Sequence, residues 1–136
     1  MSMMQGIAAI NPKTCAFCTP PSARVIGENA TAIVIRDGYP VSPGHTLLIS
    51  KRHTASFFDL SEKERGDLLS LLDRAKLALD EEFQPQGDNI GINDGAVAGQ
   101  TVHHLHVHLI PRYVGDMPDP RGGFRWVIPD EEKYWP

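Results

Sequence analysis

The residues best suited to chemistry lie in one run, Gln100-Thr101-Val102-His103-His104-Leu105-His106-Val107-His108-Leu109-Ile110-Pro111-Arg112, which holds four of the chain's six histidines. His104, His106 and His108 alternate with Leu105, Val107 and Leu109. Alternation at period 2 marks a half-buried strand, on which every second side chain points the same way. The three imidazoles are therefore expected on one face, ~6.5 Å apart at a rise of ~3.3 Å per residue. The apolar alternates face a core and fix the register, which sets this run apart from a histidine-rich surface. Pro111 is expected to end the strand, because it cannot donate to a sheet ladder. With a reference pKa of ~6.5, imidazole is mostly a free base at neutral pH: a nucleophile, a proton carrier or a metal ligand.

A second set is Cys15-Ala16-Phe17-Cys18, which contains both cysteines. In a reducing compartment a two-residue gap reads as a metal or redox pair before a structural disulfide. The loop Asp94-Gly95-Ala96-Val97-Ala98-Gly99 precedes the histidine run. Its glycines permit close backbone approach to a ligand, and Asn93, Gln100 and Thr101 offer neutral donors beside it.

These groups need elements to hold them. Ala23–Glu28, Thr31–Ile35 and His45–Ser50 read as strands, separated by turns at Asn29 and at Asp37-Gly38-Tyr39-Pro40. Ser61 with Glu64 three residues on is a capping box. Leu68, Leu71, Leu72, Ala75, Leu79 and Phe83 then recur at helical spacing, so a helix is expected from about Glu62 to Phe83, stopped by Gln84-Pro85. Asn89–Asn93 reads as a fourth strand and the histidine run as a fifth. Residues 1–13 read as a loose lead-in, and 113–136 as an extended tail docked by Phe124, Trp126, Tyr134 and Trp135. Hairpins and one long helix against one sheet predict a single α+β domain over 1–136.

Bulk properties narrow the function. The chain has 136 residues, 41% hydrophobic and 22% charged, as expected of one soluble domain. A net charge of −4 argues against a general nucleic-acid binder. Any anionic ligand must then be held by local donors. No apolar run approaches a membrane span, and Met1–Ile10 lacks the charge and length of a signal peptide, so the expected location is cytoplasmic.

The run His104-Leu105-His106-Val107-His108-Leu109-Ile110 resembles the active-site strand of the histidine triad (HIT) family of nucleotide hydrolases and transferases, without departure from its His-apolar-His-apolar-His-apolar-apolar pattern. The likeness extends over roughly Cys15 to Arg112, and the stretch from Asn93 to Val102 is similar to the family's phosphate-contacting loop. It implies a HIT-like fold: an antiparallel sheet of about five strands, one long and one short helix, paired into a homodimer. It implies that His106 attacks the α-phosphate of a nucleotide and forms a nucleotidyl-histidine that water releases. His108 would bond the phosphate or leaving group, and His104 would complete the triad. Related transferases carry Gln at the third position, so His108 favours hydrolysis. Asp37 would bond the ribose hydroxyls, with Ile33 and Ile35 beside the base; it is read equally as a turn aspartate. His45 matches the family after Pro43-Gly44 and is read either as a ligand contact or as a structural histidine.

Zinc-bearing members place a ligand at His53 and use His104 as another. Cys15, Cys18, His53 and His104 are thus the expected structural zinc set. Expected substrates are diadenosine polyphosphates, nucleoside phosphoramidates or adenylylated amines, with adenine preferred at family level. The rivals are a nucleotidyltransferase or phosphorylase using phosphate as acceptor, and a non-catalytic nucleotide-binding module. The tail is expected to fold back near the active site or onto a partner subunit.

Overall fold

The computed structural model describes residues 15–136; the predicted lead-in lies outside them. Five strands, β1 (Val25–Glu28), β2 (Ala32–Arg36), β3 (Thr46–Ser50), β4 (Gly87–Gly91) and β5 (His106–Arg112), form one antiparallel sheet in the order β1-β2-β3-β5-β4. One helix, α1 (Glu62–Phe83), lies across β1, β2 and β3. The fold is α+β, as expected. The expected shorter helix is present only as 3-10 turns among the described residues, the nearest to α1 being Phe57–Asp59.

α1 starts where its cap is strongest. The Ser61 hydroxyl accepts from the Glu64 N–H, and the Glu64 carboxylate accepts from the Ser61 N–H. Arg52 binds the same carboxylate and, as its largest influence, helps hold Glu64 down at about 2. The helix ends at Gln84 in the left-handed conformation, before Pro85. Its stripe Leu68, Leu71, Ala75 and Leu79 packs with Ala32, Val34, Leu48, Leu105, Val107 and Leu109 from the sheet. Each buried leucine contributes about 2 kcal/mol by removing its side chain from water. The opposite face carries Ile35, Leu47 and Ile49 under Phe17, Val25 and Ile33. The imidazoles emerge on this second face.

β1 starts two residues later than expected, behind the 3-10 turn Ser22–Arg24, and β2 and β3 each start one residue late. Three further differences have causes elsewhere in the chain. β5 begins at His106, because the Leu105 N–H turns aside to the Thr54 carbonyl (2.6 Å), and His104 sits before the strand. Pro111 lies inside β5, paired with Asp88. Pairing with β3 has ended at Leu109, so the missing donor of Pro111 faces no strand, and its carbonyl accepts from the Ser42 hydroxyl on that side. β4 covers Gly87–Gly91, two residues earlier than the apolar pattern suggests, because pairing to Arg112 through His108 sets its span. Gln100 and Asn93 thereby fall in the connection to β5.

The β2–β3 connection is fixed by one glycine. Gly44 has φ +88°, and a Cβ there would stand 2.7 Å from Leu79 Cδ1 and 2.9 Å from Phe83 Cδ2. Only glycine both adopts this conformation and clears the end of α1. His45 follows directly and is delivered to the face that carries the imidazoles.

Candidate active site

His106 is almost fully buried, and the edge contact of Phe17 lies 5.0 Å from it between ring centroids. Its Nδ1 lies 2.8 Å from the His104 carbonyl. A carbonyl only accepts, so Nδ1 carries the proton and Nε2 keeps a free lone pair. Burial pushes the pKa of His106 down, which favours this neutral form at pH 7.

His108 follows on the same face, 5.0 Å from His106 between centroids. Its proton is placed by a relay. The Val41 N–H donates to His45 Nδ1 (3.0 Å), so neutral His45 carries its proton on Nε2. That nitrogen lies 2.9 Å from His108 Nδ1, which must accept. His108 therefore presents an Nε2–H donor. Burial first, then its neighbours His106 and His45, hold His108 down at about 4, against the opposite pull of Asp37. Burial also lowers His45. The family position His45 thus acts on His108 within the chain, from a buried place behind it.

Asp37 stands beside this pair. Its Oδ1 caps the turn by accepting from the Tyr39 N–H (2.8 Å), and its Oδ2 is 3.5 Å from His45 Nε2. The turn role and a place at the site coexist. Asn93 and Thr101 are exposed at the glycine loop. Gln100 is different: it is buried, its amide oxygen accepts from the Gly95 N–H, and its amide nitrogen donates to the Ala55 and Val102 carbonyls. Its side chain builds the loop from inside. Asp94 does likewise, taking the Ser56 hydroxyl and the Phe57 N–H.

His104 lies just before β5, with Phe17 edge-on to it as it is to His106. Its Nε2 donates to the Ser50 carbonyl (2.6 Å), leaving the Nδ1 lone pair aimed at Cys15, Cys18 and His53. The His53–His104 nitrogens are 3.2 Å apart, and sulfur–nitrogen separations are 3.4 Å for Cys15–His104, 3.5 Å for Cys18–His104 and 3.0 Å for Cys18–His53. A tetrahedral zinc ion requires about 3.3 Å between nitrogens and about 3.5 Å between nitrogen and sulfur, from its usual bond lengths. The four residues fit a metal. In their metal-free form, burial, followed by the hydrogen bond and charge of Cys15, pushes the Cys18 thiol up to about 11. A cation is what would let both cysteines ionise together.

Two hollows flank the imidazoles. A trough of about 620 Å³ lies on the β1–β2 side between Phe17, Val25 and Ile33, closed at its margin by the Glu28–Lys51 ion pair. Ile35 is buried beneath it and is not among the trough's lining residues. A cleft of about 590 Å³ lies on the β4 side, between the glycine loop and the tail. Sequence reasoning gave Phe17 no role; its position inside the Cys15–Cys18 knuckle was the available signal.

An antiparallel sheet crossed by one helix, with an alternating imidazole strand on its open face, defines a protein of the histidine-triad class. The HIT domain model matches residues 21–115, and the chain belongs to the HIT family. A bis(5′-nucleosyl)-tetraphosphatase (asymmetrical) of Schizosaccharomyces pombe is 40% identical over 80 residues, covering 59% of this chain and 44% of that protein. An AP-4-A phosphorylase of Mycobacterium tuberculosis is 31% identical over 93 residues, covering 68% and 48%. Among solved structures, a Zn-bound histidine triad family protein from Mycobacterium smegmatis superposes with a TM-score of 0.69 at 34% identity, covering 80% of this chain and 86% of that one. Enzymes acting on dinucleoside polyphosphates thus occur among the relatives. No described helix is long and apolar enough to cross a membrane.

Proposed function

We propose that this chain is a nucleotide hydrolase that cleaves at the α-phosphate through His106. The observation that carries the reading is the tautomer of His106: Nδ1 is tied to the His104 carbonyl, so Nε2 is an unprotonated nitrogen held in one direction. The Nε2–H of His108 stands on the same face and is suited to donate a hydrogen bond to the group expelled from phosphorus. In the first step the Nε2–P bond forms and the bond from phosphorus to the leaving group breaks; that group departs hydrogen-bonded to the His108 Nε2–H and takes any proton it needs from solvent. In the second step water attacks phosphorus, the Nε2–P bond breaks, the water's proton passes to solvent, and the nucleoside monophosphate leaves with His106 Nε2 free again. Asn93, Thr101 and the backbone of the glycine loop are the donors proposed for the phosphoryl oxygens. Asp37 is proposed for the ribose hydroxyls. The trough against Phe17 and Ile33 suits a flat base, adenine in this proposal, given the relatives' names.

Zinc is the ion proposed for Cys15, Cys18, His53 and His104. When bound it supplies no chemistry to the substrate; it ties the N-terminal knuckle to the sheet and keeps Phe17 and the His104 carbonyl in place around His106. Residues 1–136 are proposed to act as one domain, in a homodimer, in the cytoplasm, where thiolates stay reduced.

The test is turnover of diadenosine tetraphosphate and an adenosine phosphoramidate by the wild type and His106→Ala. Loss in the variant is expected; equal rates would remove His106 from the role, and nucleotide binding without any turnover would favour a binding module. A second reading follows from the phosphorylase relative: phosphate replaces water in the second step. Appearance of nucleoside diphosphate on adding phosphate would select it.

A further inference from the structure

Cys15 and Cys18 close a turn, in which the Cys18 N–H donates to the Cys15 carbonyl (3.3 Å). Such a turn keeps its end Cα atoms within ~7 Å, and a disulfide spans ~4.4–6.8 Å. The two Sγ atoms already lie within 4.8 Å of each other, as members of the four-residue cluster. Both cysteines are half-buried, so a small oxidant in solvent reaches them, whereas His104 behind them is fully buried.

Phe17 sits between these cysteines, and its ring is shared by two parts of the site. It stands edge-on to His106 (5.0 Å between centroids) and to His104 (6.2 Å). It also lines the trough beside Val25 and Ile33. Among the described residues, the hydrogen bonds that join 15–20 to the rest of the chain run only through the two sulfurs, to His53 and His104. The sulfurs therefore decide where Phe17 stands. Two thiolates on one tetrahedral zinc ion lie about 3.8 Å apart, from a Zn–S bond of about 2.3 Å. A disulfide draws them to about 2.05 Å. The thiolate is the metal ligand, so the bridged sulfurs release the ion and with it their hold on the two imidazoles.

Given the zinc ion and the base trough proposed above, on which this rests, we infer that Cys15 and Cys18 form a redox switch: a peroxide converts them to a disulfide, zinc leaves, and Phe17 is drawn off His106 and the trough, which weakens nucleotide binding. One thiolate attacks a peroxide oxygen, the O–O bond breaks, and the departing hydroxide takes a proton from solvent, leaving a sulfenic acid. The second thiolate attacks that sulfur, the S–O bond breaks, and a second hydroxide leaves and is protonated. The cysteines lose two electrons to the peroxide, and zinc departs as Zn2+. In a reducing compartment the disulfide is transient, as a sensor requires.

The experiment treats the untagged, zinc-loaded full chain and Phe17→Ala with hydrogen peroxide. It follows free thiols and chain mass, zinc released to a chromogenic chelator, and the affinity for adenosine 5′-monophosphate by calorimetry. The wild type should lose two thiols and two hydrogens of mass together with one zinc per chain. It should then bind the monophosphate about tenfold more weakly, as loss of one aromatic contact predicts. Dithiothreitol with added zinc should restore it. Phe17→Ala should release zinc in the same way but start with the weaker affinity and lose no more on oxidation. A disulfide that leaves wild-type affinity unchanged would overturn the inference. So would zinc retained by the bridged protein, a chain without bound zinc, or added oxygen in place of a disulfide. A further tenfold loss in oxidised Phe17→Ala would overturn the route through Phe17. No binding of the monophosphate to the reduced wild type would remove the base trough and this inference with it. Turnover enters none of these readouts, so its absence would remove the hydrolase reading alone.

Discussion

Two clusters of titratable groups flank His106, and each brings residues distant in sequence to within 4.8 Å of one another: Cys15, Cys18, His53 and His104 on one side, Asp37, His45 and His108 on the other. They differ in where the protons are. His104 spends its one N–H on the Ser50 carbonyl and turns a lone pair toward two sulfurs and a second imidazole. His45 receives an N–H from Val41, so it must donate toward His108. The His45–His108 separation of 2.9 Å suits that hydrogen bond and is shorter than the ~3.3 Å between two nitrogens on one zinc ion. One cluster collects lone pairs, as a cation requires; the other passes donors in a line and ends on an Nε2–H. Two imidazoles four residues apart thus acquire opposite tasks: the Ser50 carbonyl takes the proton of His104, and His45, oriented by the Val41 N–H, donates to His108.

That contrast yields four predictions. The largest effect is expected for His106→Ala: kcat should fall roughly 10⁴-fold or more while bound zinc, measured on untagged protein by elemental analysis, stays the same. Zinc lost together with turnover would mean that the two sides are not separable. Cys18→Ser should do the reverse in stability. With zinc a thousandfold above its dissociation constant, its loss removes roughly 4 kcal/mol, read as a lower midpoint in thermal unfolding that added zinc no longer raises. An unchanged midpoint would show that the sheet holds the knuckle without a metal.

His45→Ala tests the donor line. It leaves His108 Nδ1 without its donor and frees the proton to sit on either nitrogen, so kcat should drop about 10²-fold with zinc content unaltered. A drop in zinc instead would place His45 on the metal side of the comparison. Gly44→Ala should be smaller and act through folding. The strained φ and the contact with Leu79 and Phe83 should cost about 2 kcal/mol in urea unfolding, and any loss of activity should parallel displacement of His45. Native stability in this variant would mean that the end of α1 yields to the added methyl.

Much of the fold was legible because its signals are local. The Ser61–Glu64 cap, the leucine stripe of α1 and the β-branched run of β2 specify their elements with neighbours only a few residues away. The alternation of Leu105, Val107 and Leu109 likewise fixed which face of β5 is apolar. The ends of elements were less legible. Pro111 is tolerated inside β5 only because β3 stops at Leu109 and Ser42 reaches the freed carbonyl, a condition set by another strand. The same holds for Gln100, whose amide looked free to meet a phosphate. Its partners Gly95, Ala55 and Val102 converge only when the loop is closed.

By itself, then, the sequence determined the element types, the spacing that sets His106 and His108 on one face, and the residues able to bind a metal or carry a proton. Residue type and short-range pattern are sufficient for these, since they depend on side-chain chemistry and backbone period. Tertiary structure alone decided that His104 turns its free lone pair to the cysteines, that His45 stands behind His108, and that Phe124 fills the space over Gly91. Each depends on which backbone carbonyl, N–H or bare Cα a distant segment presents at that point, and local period carries no record of it.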